Sequence, residues 1–514
     1  MVLLGALGGF KSFAIQTELF SIQFNGSDLM ARDEALPTQG RAFESRQFPA
    51  AKREFLTKFS RVIQTWVPGL SDNSASAWAE LAVRREWQFE VFRDSEGERL
   101  WRFALNVRPG ELTKWRQLLD AQEHKEASVV RFGGFEGLEW SGENGAHRVV
   151  AIEAGNWLIV AKTSGGSSLM AEAIRSVATE GRPTSGGTDT WLKVELCSEV
   201  VSSFWPFVDL EVPGIEWSAT TDDGVVRHEA ALEFANPVTL GGESVGVTPS
   251  IVYDPLISFG VLRHGAALLG DFEAVTETVA DSDEPVYFWS QQHPLMVSAN
   301  VAIAVPDGES KWEFGGQALT SAIAEGLKDK MITKPIWDAE AKALTWRGLP
   351  ILAPWMRSLK GADSDYWAAG AHVLLNSTNV PPAGLKAQYE GREDLIYYHW
   401  EITGGRFAQW LRTSLLMSIV SDRGSVKLNA PTHAWLQEVA GLMGNTITEV
   451  TQENEHIWRI KRRAPMVLTG FELLVLSDWL ARPEFPEAPL TLPFLPLREM
   501  PTPEELERLK AQKR

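Results

Sequence analysis

Two distant stretches of the chain share one hydrophobic pattern. Residues 101–107 alternate Trp, Phe, Leu and Val with less apolar residues, and Gly110 then precedes apolar residues at helical spacing. Residues 396–402 alternate Ile, Tyr, Trp and Ile, and Gly405 precedes a second helical spacing. A period of two is typical of a strand and a period near 3.6 of a helix, so the pattern predicts a strand–helix unit that occurs twice.

A second pair of segments extends this repeat. A strand is predicted at 157–161, beginning with Trp157, and again at 458–461, beginning with Trp458. In each case a residue suited to cap a helix lies eleven positions after that tryptophan. Those residues are Ser168 and Thr469, which accept hydrogen bonds from free amides at a helix start. We expect helices over 169–177 and 471–480, and a fainter third copy of the unit over 297–375 with its helix at 318–327.

Pattern and composition together divide the chain into six parts. Further helices are predicted at 49–66 and 75–85, and Asp222-Asp-Gly between alternating runs predicts a hairpin of strands 214–221 and 225–234. The parts are an N-terminal segment with a strand (1–48), a first α+β unit (49–185), a mostly β connection (186–290), the fainter third unit (291–390), the last unit (391–482) and a proline-rich tail with a short charged helix (483–514).

The fold class follows from the strands. Clean alternation requires one covered face and one wetter face, which is typical of antiparallel sheets. We therefore predict an α+β fold in which repeated strand–helix–hairpin–helix units form long antiparallel sheets with helices packed on one face.

Length and charge limit the function. A chain of 514 residues exceeds what a single hydrophobic core usually supports. The apolar share of 44% and the charged share of 23% are typical of a folded protein. A net charge of −18 argues against nucleic acid and against an anionic membrane surface as partners.

Tryptophan is the compositional outlier, with 21 copies beside 6 tyrosines. An indole can stack on a sugar or anchor an interface, but it also fills a large core volume. Because most of these residues lie on the apolar side of predicted strands and helices, we expect most of them to pack in the core.

The N-terminus bears on location. Residues 1–10 are apolar but too short to span a bilayer. One interpretation is the remnant of an export signal or anchor, which predicts a periplasmic or cell-envelope protein tethered to a membrane through the N-terminus alone. The competing interpretation is a buried first strand in a cytoplasmic protein.

No motif predicts a metal, a cofactor or a nucleophile. Cys197 lies in an apolar run, where an inert buried thiol is the expected state. The nine histidines lack the paired spacing of metal ligands. Glycine pairs at 165–166 and 404–405 could bind an anion at a helix start, but turn and cap positions explain them better.

One surface is a candidate for chemistry. Glu401 beside Trp400 could act with Glu393 or Asp394 as a carboxylate pair on a glycosidic bond. Alternation places Trp400 and Glu401 on opposite faces of the strand, which predicts Glu401 on the wet face.

A resemblance adds to this interpretation. The segments EDLIYYHWEITGGRFAQW (393–410) and APMVLTGFELLVLSDW (464–479) are similar to stretches of a group of large, tryptophan-rich bacterial proteins of unknown function, and the likeness extends from Trp191 to Trp479. The resemblance implies a bacterial origin and the cell envelope. It supplies no catalytic residues.

Three functions remain open. The first is a non-enzymatic extracytoplasmic binding or scaffold protein that holds a protein or small ligand on a sheet face or in a groove between units, because repeated units create extended surfaces. The second is a glycan-acting hydrolase that uses paired carboxylates. The third is an inactive descendant of a duplicated enzyme.

Overall fold

The computed structural model describes most of the chain. The described residues are 18–27, 37–66, 71–93, 99–107, 128–132, 134–141, 147–164, 168–183, 190–199, 201, 213–222, 225–238, 245, 248–263, 284–292, 298–305, 307–326, 335–346, 353–372, 379–421, 430–483 and 485. The apolar start at 1–10, the helix predicted after Gly110, the glycine pair at 165–166 and the proline-rich tail lie outside them.

The secondary structure mixes strands and helices throughout. The strands are β1 Glu18–Phe24, β2 Trp87–Arg93, β3 Arg99–Asn106, β4 Ser128–Phe132, β5 Phe135–Ser141, β6 His147–Ala154, β7 Trp157–Ser164, β8 Thr190–Leu196, β9 Gly214–Asp222, β10 Val225–Glu233, β11 Leu256–Leu262, β12 Val286–Gln291, β13 Ser298–Ala304, β14 Pro335–Asp338, β15 Ala343–Trp346, β16 Trp355–Lys360, β17 Asp365–Gly370, β18 Leu395–Ile402, β19 Asn445–Gln452 and β20 Ile457–Ala464. The described helices are α1 Pro37–Phe43, α2 Phe48–Trp66, α3 Asp72–Arg84, α4 Ser168–Glu180, α5 Gly308–Gly326, α6 Ala383–Lys386, α7 Thr403–Ser421, α8 Pro431–Val439 and α9 Gly470–Ala481.

All of these strands join one antiparallel sheet of 20 strands. Their order across it is β4-β5-β6-β7-β3-β2-β1-β8-β9-β10-β20-β19-β18-β11-β12-β13-β17-β16-β15-β14. The prediction of a long antiparallel sheet in a mixed fold is confirmed.

The sheet consists of two halves with the same strand order. The first half runs β4-β5-β6-β7-β3-β2-β1-β8-β9-β10. The second half runs β14-β15-β16-β17-β13-β12-β11-β18-β19-β20, so each strand corresponds to the strand numbered ten higher. The halves meet where β10 pairs antiparallel with β20, with Glu229 opposite Lys461. We call this β10–β20 pairing the seam.

This order does not confirm the predicted repeat of 101–107 with 396–402. The first stretch lies in β3, between β2 and β7, whereas the second lies in β18, between β11 and β19. The strand in the position of β3 is β13, which belongs to the fainter third copy. The two stretches therefore share an alternating pattern but occupy different places in the sheet.

Helices lie on both faces, so the expectation of one helical face is wrong. Face A is the side of Phe103 and His399, and face B is the side of Ala104 and Trp400. Helices α2, α3 and α5 pack on apolar residues of face A, whereas α4 packs on Ala104 and Ile159 of face B. Helices occur on both faces because apolar strand residues occur on both sides of the sheet.

Local sequence explains where α9 begins. Thr469 accepts a hydrogen bond from the Glu472 amide at 3.2 Å, and the Glu472 carboxylate accepts one from the Thr469 amide at 2.9 Å. This reciprocal capping satisfies amides that have no partner inside the helix. The prediction of Thr469 as a helix cap is confirmed.

The tryptophans pack as expected. Every tryptophan whose side-chain burial is described is buried or half-buried. One group joins α5 to the sheet, where the Trp312 ring lies 5.1 Å from that of Trp367 and 6.1 Å from that of Trp337. No described helix is long and apolar enough to cross a membrane.

Candidate functional site

Strand β18 separates the predicted carboxylates instead of pairing them. Glu393 and Asp394 precede the strand and are exposed, and Asp394 forms a 2.9 Å ion pair with Arg392 that lowers its pKa. Glu401 lies at the far end of the strand, on the order of 25 Å away at 3.3 Å per residue. A glycosidase requires carboxyls about 5 to 10 Å apart, so these groups do not form such a pair.

Trp400 and Glu401 lie on opposite faces, as predicted. Trp400 packs on face B beside Phe259 and Ile447, in the apolar core. Glu401 is 1% exposed on face A, so its expected place on a wet face is wrong. Helices α7 and α9 cover face A at this place. The alternation of apolar and polar residues along β18 does not show whether a helix covers the polar side.

The buried Glu401 carboxylate meets groups from three elements. Its Oε1 accepts a hydrogen bond of 2.7 Å from the Gly470 amide at the start of α9. Its Oε2 lies 4.0 Å from Arg406 Nε of α7 and 4.0 Å from His399 Nε2 of β18. An anion at this place interacts favourably with the positive end of the α9 dipole.

Arg406 connects α7 to the sheet. Its guanidinium donates to Ser290 Oγ and to Gln409 Oε1, and it lies 4.7 Å from the centre of the Trp410 ring. The Ser290 and Ser258 hydroxyls are 2.6 Å apart on neighbouring strands. Hydrogen bonds and an aromatic face thus offset part of the cost of burying the arginine charge.

Burial dominates the titration of this cluster. It raises the pKa of Glu401 to about 7, although the Gly470 amide and Arg406 oppose the shift. It lowers the pKa of His399 to about 3 and that of Arg406 to about 10. Low-dielectric surroundings disfavour the charged form of each group, which produces opposite shifts for acid and base.

A second polar row crosses the seam beside this cluster. His399, Thr448, Arg462 and His228 lie on consecutive strands, each directly opposite the next. Arg462 donates to both carboxylate oxygens of Glu472, at 2.8 and 3.0 Å. Burial lowers the pKa of His228 to about 4, so its imidazole is neutral at pH 7.

Glycines allow these helices to approach closely. A Cβ on Gly404 would lie 2.0 Å from the Ala440 carbonyl oxygen, and one on Gly470 would lie 2.4 Å from the Phe407 amide nitrogen. The glycine at 404 therefore serves packing rather than ligand binding. The negatively charged group next to a helix start in this region is the Glu401 side chain, which lies at the start of α9.

The remaining sequence candidates do not add chemistry. The Cys197 thiol is half-buried and packs against an apolar cluster that includes Leu19 and Val194. Among the described residues, no three His, Cys, Asp or Glu side chains are grouped to hold a metal.

Sequence reasoning missed Arg406, Arg462 and Glu472. Only the spacing of Thr469 and Glu472, which fits a capping box, could have drawn attention to the start of α9.

The opposite side of the seam is open. On face B, Arg459, Lys461 and Arg463 of β20 are exposed, and so are Glu229 of β10 and Glu216 of β9. Lys461 lies directly opposite Glu229, and Arg459 forms an ion pair with Glu453. Charges of both signs therefore alternate over a sheet surface that both halves contribute to.

Comparison with solved structures finds similarity to two crystal forms of TP0453. The identities are 11% and 12%, the TM-scores 0.23 and 0.24, and each match covers 46% of this chain and 80% or 81% of that chain. These overlaps are too small to assign a fold or a function. No family model and no curated protein matches the chain.

Proposed function

We propose that this chain is a non-enzymatic binding or scaffold protein whose partner docks on face B at the seam. The observation that carries the proposal is an exposed surface in the middle of the sheet, formed on face B by charged residues of β20, β10 and β9 that come from both halves. A broad surface of this kind suits a protein partner better than a small ligand, because a stable protein interface covers about 800 Å² on each side.

The charges favour a partner with acidic and basic groups of its own. Lys461 and Arg463 are exposed and follow each other along one face of β20, while Glu229 lies on the adjacent strand β10 and Glu216 on the next strand, β9. Such alternation fixes the register and orientation of a complementary partner more than it raises affinity. The alternative of glycan hydrolysis loses its candidate pair, because Glu401 lies at the opposite end of β18 from Glu393 and Asp394.

The proposed location is outside the cytoplasm, in the periplasm or cell envelope. The resemblance of residues 393–410 and 464–479 to tryptophan-rich bacterial proteins supports this placement. Protease treatment of intact and osmotically shocked host cells tests it. If the protein is digested only after osmotic shock, the result supports a periplasmic location. If it resists digestion after shock and is digested only after lysis, the result contradicts that location.

Site-specific photo-cross-linking in the native host tests the binding surface. A photo-reactive residue at position 461 is expected to give one adduct of defined mass, whereas the same residue at Glu309, exposed on α5, serves as the control. The Glu229→Arg variant should abolish the adduct, and the purified partner should bind the wild type more tightly than this variant. Equal adducts from both positions, or none from position 461, would overturn the proposal.

A further inference from the structure

Helix α9 crosses from one half of the molecule to the other. Its first residue, Gly470, contacts Glu401 in the second half. Near its other end, Trp479 and Leu480 belong to the core cluster of the first half, with Trp78 and Leu105. A change at the start of α9 therefore reaches the packing of both halves.

The segment before α9 carries backbone strain. Val467 has a φ of 64°, in the left-handed region that a β-branched side chain disfavours. Its side chain packs against the cluster of Trp191, Ala219 and Val226 in the first half. Strain of this kind persists only while surrounding contacts enforce it.

The start of α9 also covers one titratable group that is almost fully buried. Glu401 faces His399 and Tyr397 on its own strand, Arg406 on α7, Glu472 on α9 and Arg462 on β20. Ser258 and Thr446 lie directly opposite it on the neighbouring strands. The Glu401 side chain is 1% exposed, and the start of α9 donates the one hydrogen bond that its carboxylate receives from a backbone amide among the described residues.

We propose that Glu401 is a proton-controlled latch, which holds the start of α9 on the sheet when neutral and releases it when ionised. The neutral carboxyl still accepts the Gly470 hydrogen bond but carries no buried charge. The ionised carboxylate is stabilised by the Gly470 amide and Arg406, but burial costs it more than these contacts return, so it gains when the segment opens to water. Opening also relaxes Val467. This device is independent of the binding surface proposed on face B.

The expected size of the effect follows from linkage. Burial raises the pKa of Glu401 from 4.5 to about 7. If the pKa of Glu401 returns to 4.5 when the start of α9 opens, the equilibrium constant for that opening rises about tenfold between pH 6 and pH 8.5. In the closed state His399 and His228 have pKa values near 3 and 4 and stay neutral throughout this interval. An imidazole that opening exposes would favour opening below pH 6.5, which is opposite in sign, so the difference between wild type and Glu401→Gln isolates the contribution of Glu401.

Hydrogen-exchange mass spectrometry of the full chain tests the latch. Protection factors of residues 466–474, corrected for intrinsic exchange, are expected to fall about tenfold from pH 6 to pH 8.5 in the wild type. Glu401→Gln should remove this fall, because the amide accepts the same hydrogen bond without ionising. Glu472→Gln, which alters a neighbouring carboxylate whose pKa is lowered, should retain it.

A second variant keeps the test decisive if Glu401→Gln does not fold. Val467→Gly removes both the strain and the packing of this side chain on the Trp191 cluster, so it should shift protection equally at both pH values while the tenfold difference remains. Equal wild-type protection at the two pH values, or the same fall in Glu401→Gln as in the wild type, would overturn the latch.

Discussion

The two halves have the same strand order but fill face A with different chemistry. In the first half, β1 and β8 place Ile22 opposite Val194, and the neighbouring strands add aromatic residues under α2 and α3. In the second half, β11 and β18 place Ser258 opposite Glu401, beneath α7 and α9. One topology therefore tolerates either hydrophobic burial or a buried charged network, provided that helices supply partners of the matching kind.

The difference predicts different responses to perturbation. Hydrophobic burial is non-directional and independent of pH. A buried ion pair depends on geometry and protonation, and losing one partner leaves the other charge uncompensated. The first half should therefore respond mainly to lost volume, and the second to lost charge and to pH.

The largest effect is expected from Trp78→Ala in the first half. Trp78 is 8% exposed and its ring lies 6.3 Å from that of Phe103. Loss of a buried indole costs about 3 to 5 kcal/mol in the free energy of unfolding. Denaturant titration at pH 6 and pH 8.5 should give the same loss, and a loss that changed with pH would contradict the comparison.

Arg406→Met should have a somewhat smaller and pH-dependent effect in the second half. The variant keeps an apolar stem but leaves Glu401 without its cation, at a cost of about 3 kcal/mol when Glu401 is ionised. The loss should shrink at pH 6, where Glu401 is mostly neutral. The same titration measures it, and Glu401→Gln combined with Arg406→Met should remove the pH dependence.

Gly404→Ala should destabilise the protein by about 1 to 3 kcal/mol, because its Cβ meets the Ala440 carbonyl group. Gly405→Ala is the matched control. Its Cβ has no neighbour closer than 3.8 Å, and alanine favours the helix. Thermal unfolding should show a lower midpoint for the first variant only, and equal midpoints would refute the close approach of α7 to Ala440.

Between pH 6 and pH 8.5 the stability contributed by Glu401 should fall by about 1.4 kcal/mol, equivalent to a tenfold change in the unfolding equilibrium. Its pKa is raised in the fold, so its contribution is complete below pH 4.5 and is lost as pH rises through about 7. His228 has the opposite sign, since its lowered pKa costs stability as pH falls below 6.5. The difference between wild type and Glu401→Gln, measured from pH 6 to pH 8.5, isolates the first contribution.

The smallest effect is expected on face B. Arg459→Ala removes an exposed ion pair with Glu453, which contributes less than about 1 kcal/mol. Unfolding should change little, and the remaining effect should fade in high salt. A loss as large as that of Arg406→Met would show that this surface is part of the core rather than open.

Local elements were predictable from the sequence, and their arrangement was not. Alternation and capping located β18 and the Thr469 start of α9, because both signals depend on neighbouring residues. Helix α5 begins at Gly308, ten residues before the predicted 318, since Gly315 and Gly316 resemble a break. They instead make room for the Trp367 and Trp337 rings, which would lie 2.8 and 2.5 Å from a Cβ at these two positions.

The candidate site was less predictable because its contacts are distant in sequence. Alternation correctly separated Trp400 from Glu401, but no local signal shows which helix covers a face. Gly470 and Glu401 are 69 positions apart, and Arg406 reaches Ser290 across 116. The order of strands in the sheet decides which residues surround a buried charge such as that of Arg406. The repeated pattern at 101–107 and 396–402 did not identify that order.

Disulfide trapping across the seam tests the central claim, that two halves of equal strand order join through β10 and β20. In a Cys197→Ser background, Glu229→Cys with Lys461→Cys places the Cα atoms about 4.5 to 5.5 Å apart, within reach of a disulfide. Glu229→Cys with Glu449→Cys lies two strands apart, about 9.5 Å, and is the control. The account predicts a disulfide in the first pair only, whereas its absence there, or its formation in the control alone, would contradict a joined sheet.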